Sequence, residues 1–379
     1  MTSKVEWKRD GDQRDAIHMI VQALVEGKVV ALPSETNYLL AASCLKPEAA
    51  ERVASYASGV LGSGLSLVMR TPDEALDYCP QISPVAARLV GRGMPGPLIV
   101  ELPCDDASSL AQQVPRPLLE QLTSGSNHLG LRVPAHEAIE QTMRLMRGPI
   151  VVADLMADGN VAATAAAADK ASPDHCNFLV DDGDAHFSAP ATRVRVTGND
   201  CKLLTAGAVE RQKLLQLSQM AILVVCTGNT CRSPMAGAIL KDMLRKKLEL
   251  SSEDENPFFV GTAGISAFPG SPASPNAKVA MKQRGLSLAD HSSSPVTQHT
   301  IEQADWVLAM TQSHRAAIVD AMPEIASKVH LVSGGKGDVS DPFGGSQAVY
   351  DACADQIEGF LGTWVDRVDT SWLPQWQFD

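Results

Sequence analysis

Apolar residues recur three and four positions apart from Gln13 to Glu26, with Ile17, Ile20, Val21 and Leu24 on one face, and the spacing predicts an amphipathic helix. The short apolar run Val29 to Leu32 follows it as a strand. Further runs at Leu65 to Met69, Leu98 to Leu102, Leu131 to Val133, Ile150 to Ala153 and Phe178 to Val180 predict strands, with helical stretches between several of them. The Ala-rich run Ala162 to Ala168 reads as a helix. This mixture predicts an α/β or α+β domain over residues 1–207. The polar-flanked stretch 208–219 reads as a helical linker.

Beyond the linker the pattern becomes regular, and residues 220–379 read as a second domain. Strands are predicted at Ala221 to Val225, Phe258 to Gly261, Trp306 to Met310 and Val329 to Val332. Helices are predicted from Pro234 to about Leu248, Asn276 to Arg284, His314 to Ala321 and Ser346 to about Val368. Alternation of this kind packs a parallel sheet between helices on both faces, with ligands at the carboxyl ends of the strands. Trp372 and Trp376 in the tail read as an apolar strap on the chain itself.

Composition narrows the functional classes. With 45% hydrophobic and 20% charged residues the chain is an ordinary globular protein. The net charge of −12 divides about equally between the two halves, so neither carries the basic excess used in non-specific nucleic-acid binding, and RNA is disfavoured as a partner. No apolar run approaches the ~20 residues a bilayer-spanning helix requires. The first fifteen residues lack the apolar core of a secretory signal, so a cytoplasmic location with reduced thiols is expected. Eight cysteines lack zinc-site spacing, and the nine histidines, His291 and His314 among them, lack ligand pairing. Asp181, Asp182 and Asp184 read as an acidic turn. No metal and no cofactor are expected.

One segment carries chemistry. The predicted strand ending at Val225 runs into Cys226-Thr227-Gly228-Asn229-Thr230-Cys231-Arg232-Ser233-Pro234 and then into a helix. Strand, tight loop and helix N-terminus form an anion site: Gly228 and Asn229 are suited to left-handed backbone, and successive N–H groups can converge on one centre. Arg232 offers a permanent bidentate cation for phosphate oxygens. Ser233 before Pro234 is expected to open the helix. The same field is expected to favour the Cys226 thiolate, the nucleophilic form, and the Ser233 hydroxyl can donate to the sulfur. Asp341, in Asp338-Val-Ser-Asp341-Pro342-Phe343-Gly344-Gly345, follows the last strand closely enough to reach the same sheet edge, as general acid or as a turn-forming Asp-Pro.

Residues 220 to 368 resemble the low-molecular-weight protein-tyrosine-phosphatase family in the Cys-x5-Arg-Ser-Pro loop, Thr262-Ala263-Gly264, Ala304-Asp305-Trp306-Val307-Leu308-Ala309-Met310 and Asp341-Pro342. The resemblance implies a four-stranded parallel sheet in flavodoxin-like layers and a phosphocysteine intermediate. It implies Cys226 as nucleophile, Arg232 as phosphate clamp and Asp341 as acid and base. Thr227, Gly228, Asn229, Thr230, Cys231 and Ser233 line the substrate loop, and Cys231 is implied as a reversible disulfide partner of Cys226. Thr230, with Asp-Pro-Phe-Gly-Gly-Ser downstream, is similar to the protein-arginine-phosphatase branch, which implies a phosphorylated protein, on tyrosine or arginine, as substrate.

Residues 14 to 207 resemble the YrdC-type threonylcarbamoyl-adenylate synthase family through Leu32-Pro33-Ser34-Glu35-Thr36-Asn37-Tyr38, Met94-Pro95-Gly96-Pro97, Leu131-Arg132-Val133-Pro134 and Ala191-Thr192-Arg193-Val194. Three phosphate-binding positions of the family depart here. Its Lys/Arg cluster reads Ser58-Gly59-Val60-Leu61-Gly62-Ser63-Gly64-Leu65-Ser66, its Ser-Ala-Asn reads Ala153-Asp154-Leu155-Met156, and its late Arg reads Thr205-Ala206-Gly207. A charge-assisted hydrogen bond to phosphate is worth roughly 1.5–3 kcal/mol, and each departure forgoes one. A synthase-silent domain that binds a ligand or contacts the phosphatase domain is therefore expected. Two rivals stand beside this reading: an anion-, RNA- or partner-binding protein without turnover, and an active synthase fused to a phosphatase.

Overall fold

A computed structural model describes residues 3–7, 11–62, 64–123, 125–187, 189–250 and 256–378. Ser63, within the segment that replaces the Lys/Arg cluster, lies outside them. The chain divides into two compact units, Met1–Ser218 with Pro374–Asp379, and Gln219–Leu373.

Among the described residues the first unit is built on an eleven-stranded mixed sheet. Two of its strands, Val29–Pro33 and Tyr38–Ser43, form a fully buried antiparallel pair. The strand Tyr38–Ser43 is not foreseen from the pattern. Nor is the hairpin of Thr192–Thr197 and Asp200–Thr205, which turns at Gly198 with φ +62°. The Ala-rich helix begins later than expected, at Ala165, because the Thr164 hydroxyl caps it by accepting from the Ala167 N–H.

The expected linker holds the helix Arg211–Ser218, with Leu214 fully buried in the core of the first unit. Arg88 Nη1 donates to the Ser218 carbonyl and Arg92 Nη1 to that of Leu217, both at 3.2 Å, neutralising the helix end. The tail also differs from the expected boundary. Gln375–Gln377 pairs in parallel with Asp200–Thr205 as the last strand of the sheet, and Trp376 Nε1 donates to Ser218 Oγ at 3.0 Å.

In the second unit four parallel strands lie in the order Phe258–Gly264, Met220–Cys226, Trp306–Ala309, Val329–Leu331. Alternation along the central strand sorts its side chains. Met220, Ile222, Val224 and Cys226 face the core beneath the helices Arg232–Lys247, Pro275–Gln283 and Gln347–Arg367. Leu223 and Val225 face the opposite core, with Ile301 and Ile318 from the helices Gln298–Gln303 and Gln312–Ala321. Each buried aliphatic side chain contributes roughly 1.5–3 kcal/mol, so register is strongly held and the cysteine side is fixed by the pleat.

The strand ends at Cys226 itself and the helix begins at Arg232, two residues before the expected Pro234. Ser233 is therefore not a cap, and its hydroxyl is available to the sulfur. Arg245, Lys246 and Lys247 in the last turn complement the helix dipole.

Candidate active site

The loop 227–231 is turned so that its carbonyls find donors outside it. Cys226 O accepts from Ile265 N, Thr227 O from Ser266 N and Thr230 O from Ser274 N. Asn229 O accepts from His291 Nε2 at 2.7 Å. A peptide whose carbonyl points outward directs the neighbouring N–H inward, which builds the anion nest. Of the two positions expected to be left-handed, Asn229 is, at φ +53°, and Gly228 is not. Gly264 lets the loop pack this closely, since a Cβ there would stand 2.5 Å from Thr227 O.

Cys226 is 2% exposed. Its Sγ accepts from the Asn229 N–H at 3.2 Å and lies 3.0 Å from Ser233 Oγ. Asn229 Nδ2 donates to Ser233 Oγ at 2.8 Å and to Thr262 Oγ1 at 2.9 Å, while its Oδ1 accepts from Ser294 N at 2.9 Å. Ser233 Oγ, which accepts the amide proton, has its own proton within reach of the sulfur at 3.0 Å and of the Ala263 carbonyl at 3.4 Å. The Asn229 side chain thereby locks the loop, the hydroxyl and the neighbouring strand together.

Arg232 is buried at the helix start, and its Nη2 contacts Thr227 Oγ1 at 3.2 Å and Asp341 Oδ2 at 2.7 Å. The Asp341 side chain is half exposed and also accepts from the Phe343 N–H. The residues expected at one sheet edge therefore meet there. Phe343 itself is 80% exposed beside the site.

Cys231 is buried as a free thiol near Tyr350 Oη at 3.3 Å and Ser274 Oγ at 3.4 Å; Cys226 is also a free thiol. Burial and then the hydrogen bond to Cys231 push the Tyr350 hydroxyl above its usual value. Thr230 is half-buried, with its Oγ1 3.7 Å from Cys231 Sγ.

Sequence reasoning missed the supporting residues Ser274, Ser294 and Tyr350, and left His291 and His314 without a specific role. Nothing in their spacing marks them, because they approach the loop from four separate segments. Among the described residues no cluster of His, Cys, Asp and Glu could hold a metal ion. No helix among them is long and apolar enough to cross a membrane.

In the first unit, Arg132 is fully buried with Asp154 Oδ1 3.8 Å from its Nη1. Asp154 Oδ1 also accepts from Asn37 Nδ2 at 3.0 Å. Arg193 pairs with Glu101 at 3.0 Å and donates to the Leu65 carbonyl. Both motif arginines therefore already face carboxylates of the chain itself.

A loop of this design at the end of a central parallel strand defines a cysteine-dependent phosphatase class, and through residues 221–372 the chain belongs to the family described as low molecular weight phosphotyrosine protein phosphatase. Its relatives include a protein-arginine-phosphatase of Geobacillus stearothermophilus, 40% identical over 115 residues, which cover 29% of this chain and 77% of the relative. A protein-arginine-phosphatase of Bacillus subtilis is 41% identical over 106 residues, covering 27% of this chain and 70% of the relative. The solved YwlE arginine phosphatase from G. stearothermophilus is 39% identical, covers 39% of this chain and 92% of its own, and has a TM-score of 0.35. Residues 22–207 match the Sua5/YciO/YrdC family profile, described as telomere recombination. The threonylcarbamoyl-AMP synthase of Pyrococcus abyssi is 26% identical over 212 residues, covering 55% of this chain and 56% of the relative. The chain is thus a fusion of a YrdC-like unit with a low-molecular-weight phosphatase unit.

Proposed function

We propose that the second unit hydrolyses phosphorylated side chains of proteins through a phosphocysteine intermediate, with Cys226 as nucleophile, Arg232 as clamp and Asp341 as acid and base. One observation carries this reading: a buried sulfur at a strand end that accepts a backbone N–H and lies against a hydroxyl, with a guanidinium and a carboxylate paired beside it.

In the first step the phosphate dianion displaces Asp341 from Arg232 and takes the loop N–H groups, and the released Asp341 carboxylate takes up a proton from solvent. The Cys226 thiolate attacks phosphorus, the bond to the leaving oxygen or nitrogen breaks, and Asp341 gives that atom its proton. In the second step Asp341 takes a proton from water as the water oxygen attacks phosphorus. The S–P bond breaks and the Cys226 thiolate departs, eased by the Ser233 proton. Phosphate and free enzyme result.

Phosphoarginine is the preferred substrate in this reading. The half-buried Thr230 offers a hydroxyl beside the loop where an aliphatic chain would favour an aromatic ring, and the relatives named above are arginine phosphatases. The ratio of kcat/KM on phosphoarginine and phosphotyrosine proteins tests it: Thr230→Ile lowers the ratio about tenfold, as expected when one polar partner of the substrate is removed. An unchanged ratio contradicts the preference.

The first unit is proposed to be silent as a synthase. Asp154 and Glu101 occupy the arginines with carboxylates, and a further carboxylate near a triphosphate is repulsive. Its role is binding or regulation. ATP-, bicarbonate- and threonine-dependent adenylate formation by the purified chain would overturn this. A cytoplasmic location belongs to the same proposal, since the nucleophile works only as a reduced thiol.

A further inference from the structure

His314 lies in the first turn of the helix Gln312–Ala321 and is 3% exposed. Its Nε2 is 2.9 Å from Thr227 Oγ1 and its Nδ1 is 2.8 Å from Thr311 Oγ1. The same Thr227 oxygen faces Arg232 Nη2. A guanidinium only donates, so Thr227 Oγ1 accepts from Arg232; its own hydroxyl proton is then left to share, and the tautomer with an unprotonated His314 Nε2 accepts it. Nδ1–H then donates to Thr311 Oγ1, which also accepts the His314 backbone N–H at 3.2 Å and donates to Ser313 Oγ at 2.8 Å. This tautomer, assigned from the network, gives the hydroxyl protons of Thr227 and Thr311 and the ring N–H of His314 a partner each. Burial first and Arg232 second hold the ring below the usual imidazole value, against the opposite pull of Asp338 and Asp341, which favours the neutral form.

We propose that His314 is a positioning residue for the phosphate clamp, acting through the Thr227 hydroxyl to fix the plane of the Arg232 guanidinium. The inference rests on the phosphatase reading for its role in turnover. Arg232 Nη2 carries two N–H bonds, one directed at Asp341 and the other at Thr227. Phosphate must take over the first. The second then remains as the anchor that keeps the guanidinium aimed into the loop, and His314 holds that anchor by accepting the Thr227 proton. Thr311 and Ser313 hold His314 in turn. Residue spacing carries no sign of this, because Thr227 and His314 are 87 positions apart.

A double-mutant cycle tests the proposal on the full chain. Inorganic phosphate affinity is measured by titration calorimetry, and kcat and KM on a phosphoarginine protein, for wild type, His314→Phe, Thr227→Val, the double variant and His314→Gln. Each of the first two single substitutions is expected to weaken phosphate binding about tenfold, as when one charge-assisted hydrogen bond is removed. The double variant is expected to be no worse than either, because both break one chain of hydrogen bonds. His314→Gln, whose amide oxygen accepts the Thr227 proton, is expected to recover most of the affinity. Additive effects, or unchanged phosphate affinity in folded His314→Phe, overturn the proposal. Should His314→Phe not fold, ring nitrogen NMR of the wild type still decides: an unprotonated Nε2 that shifts on Thr227→Val supports it, and a protonated Nε2 overturns it. Absence of wild-type turnover would remove the phosphatase reading alone, since the phosphate affinities still decide whether His314 acts through Thr227.

Discussion

Arg232 Nη2 and Asp341 Oδ2 stand 2.7 Å apart, so the proposed clamp and the proposed acid neutralise each other until an anion enters. Asp341 is half exposed, which puts the value of this pair in the range of ~0.2–1 kcal/mol. Removing the carboxylate therefore has opposite effects on binding and on turnover. Asp341→Asn is expected to bind orthovanadate roughly two- to fivefold more tightly, because nothing competes for Arg232. Its kcat is expected to fall roughly 10²–10⁴-fold, the usual contribution of a positioned acid. Weaker vanadate binding together with impaired turnover would show that Asp341 supports the loop instead.

Asn229 combines a left-handed backbone with three side-chain hydrogen bonds, and the two contributions separate by substitution. Asn229→Gly keeps the φ of +53° accessible and removes the bonds, whereas Asn229→Ala forfeits both. Vanadate affinity and kcat are expected to fall in the order wild type, Gly, Ala, with Ala about 1 kcal/mol less stable than Gly from backbone strain. Equal behaviour of Gly and Ala would place the effect in the side chain alone.

Acid sensitivity follows from three histidines held below the usual imidazole value of 6.5, His175, His314 and His330, each chiefly by burial. In the unfolded chain each takes a proton first as pH falls, so the stability they contribute is full above about 6.5 and declines below it. The urea midpoint is expected to drop between pH 7.5 and 5.5. His330, whose ring lies 5.1 Å from that of Trp364, stands outside the site, and His330→Asn should flatten part of that slope. An unaltered slope would assign the acid sensitivity to other groups.

Arg132 makes the strongest stability prediction in the first unit. Its side chain is 1% exposed, its three guanidinium nitrogens find no hydrogen-bond partner among the described residues, and Asp154 is its neighbouring countercharge. Asp154→Ala is expected to destabilise the first unit by about 3–5 kcal/mol in urea unfolding, the cost of stranding a buried charge. The double variant Arg132→Met with Asp154→Leu should be markedly milder. A mild effect of Asp154→Ala alone would mean that the charge is compensated elsewhere.

Much of the second unit is legible in the sequence because each cue agrees with the next. The apolar run before Cys226, the Gly-Asn within the loop and the regular alternation of strands and helices all point to one sheet edge. Two local signals compete at Ser233-Pro234, which resembles a helix start, yet the helix begins at Arg232 because the loop carbonyls are fixed by Ile265, Ser266 and Ser274. Contacts such as His291 to Asn229 and His314 to Thr227 are invisible to spacing, since they arise from tertiary placement. In the first unit the buried strand Tyr38–Ser43 and the tail strand Gln375–Gln377 escape notice, the latter because Gln-Trp-Gln offers a single apolar residue to read.

Passage of phosphate through the Cys226 sulfur is the step on which the proposed chemistry stands. Acid quenching of the full chain during turnover of a phosphoarginine protein, followed by peptide mass spectrometry, reads it out. A phosphoryl group is expected on Cys226, accumulating in Asp341→Asn when the leaving group needs no proton, with no turnover by Cys226→Ser. Phosphate released at the wild-type rate by Cys226→Ser, or a phosphoryl group found on another residue, would refute a phosphocysteine route.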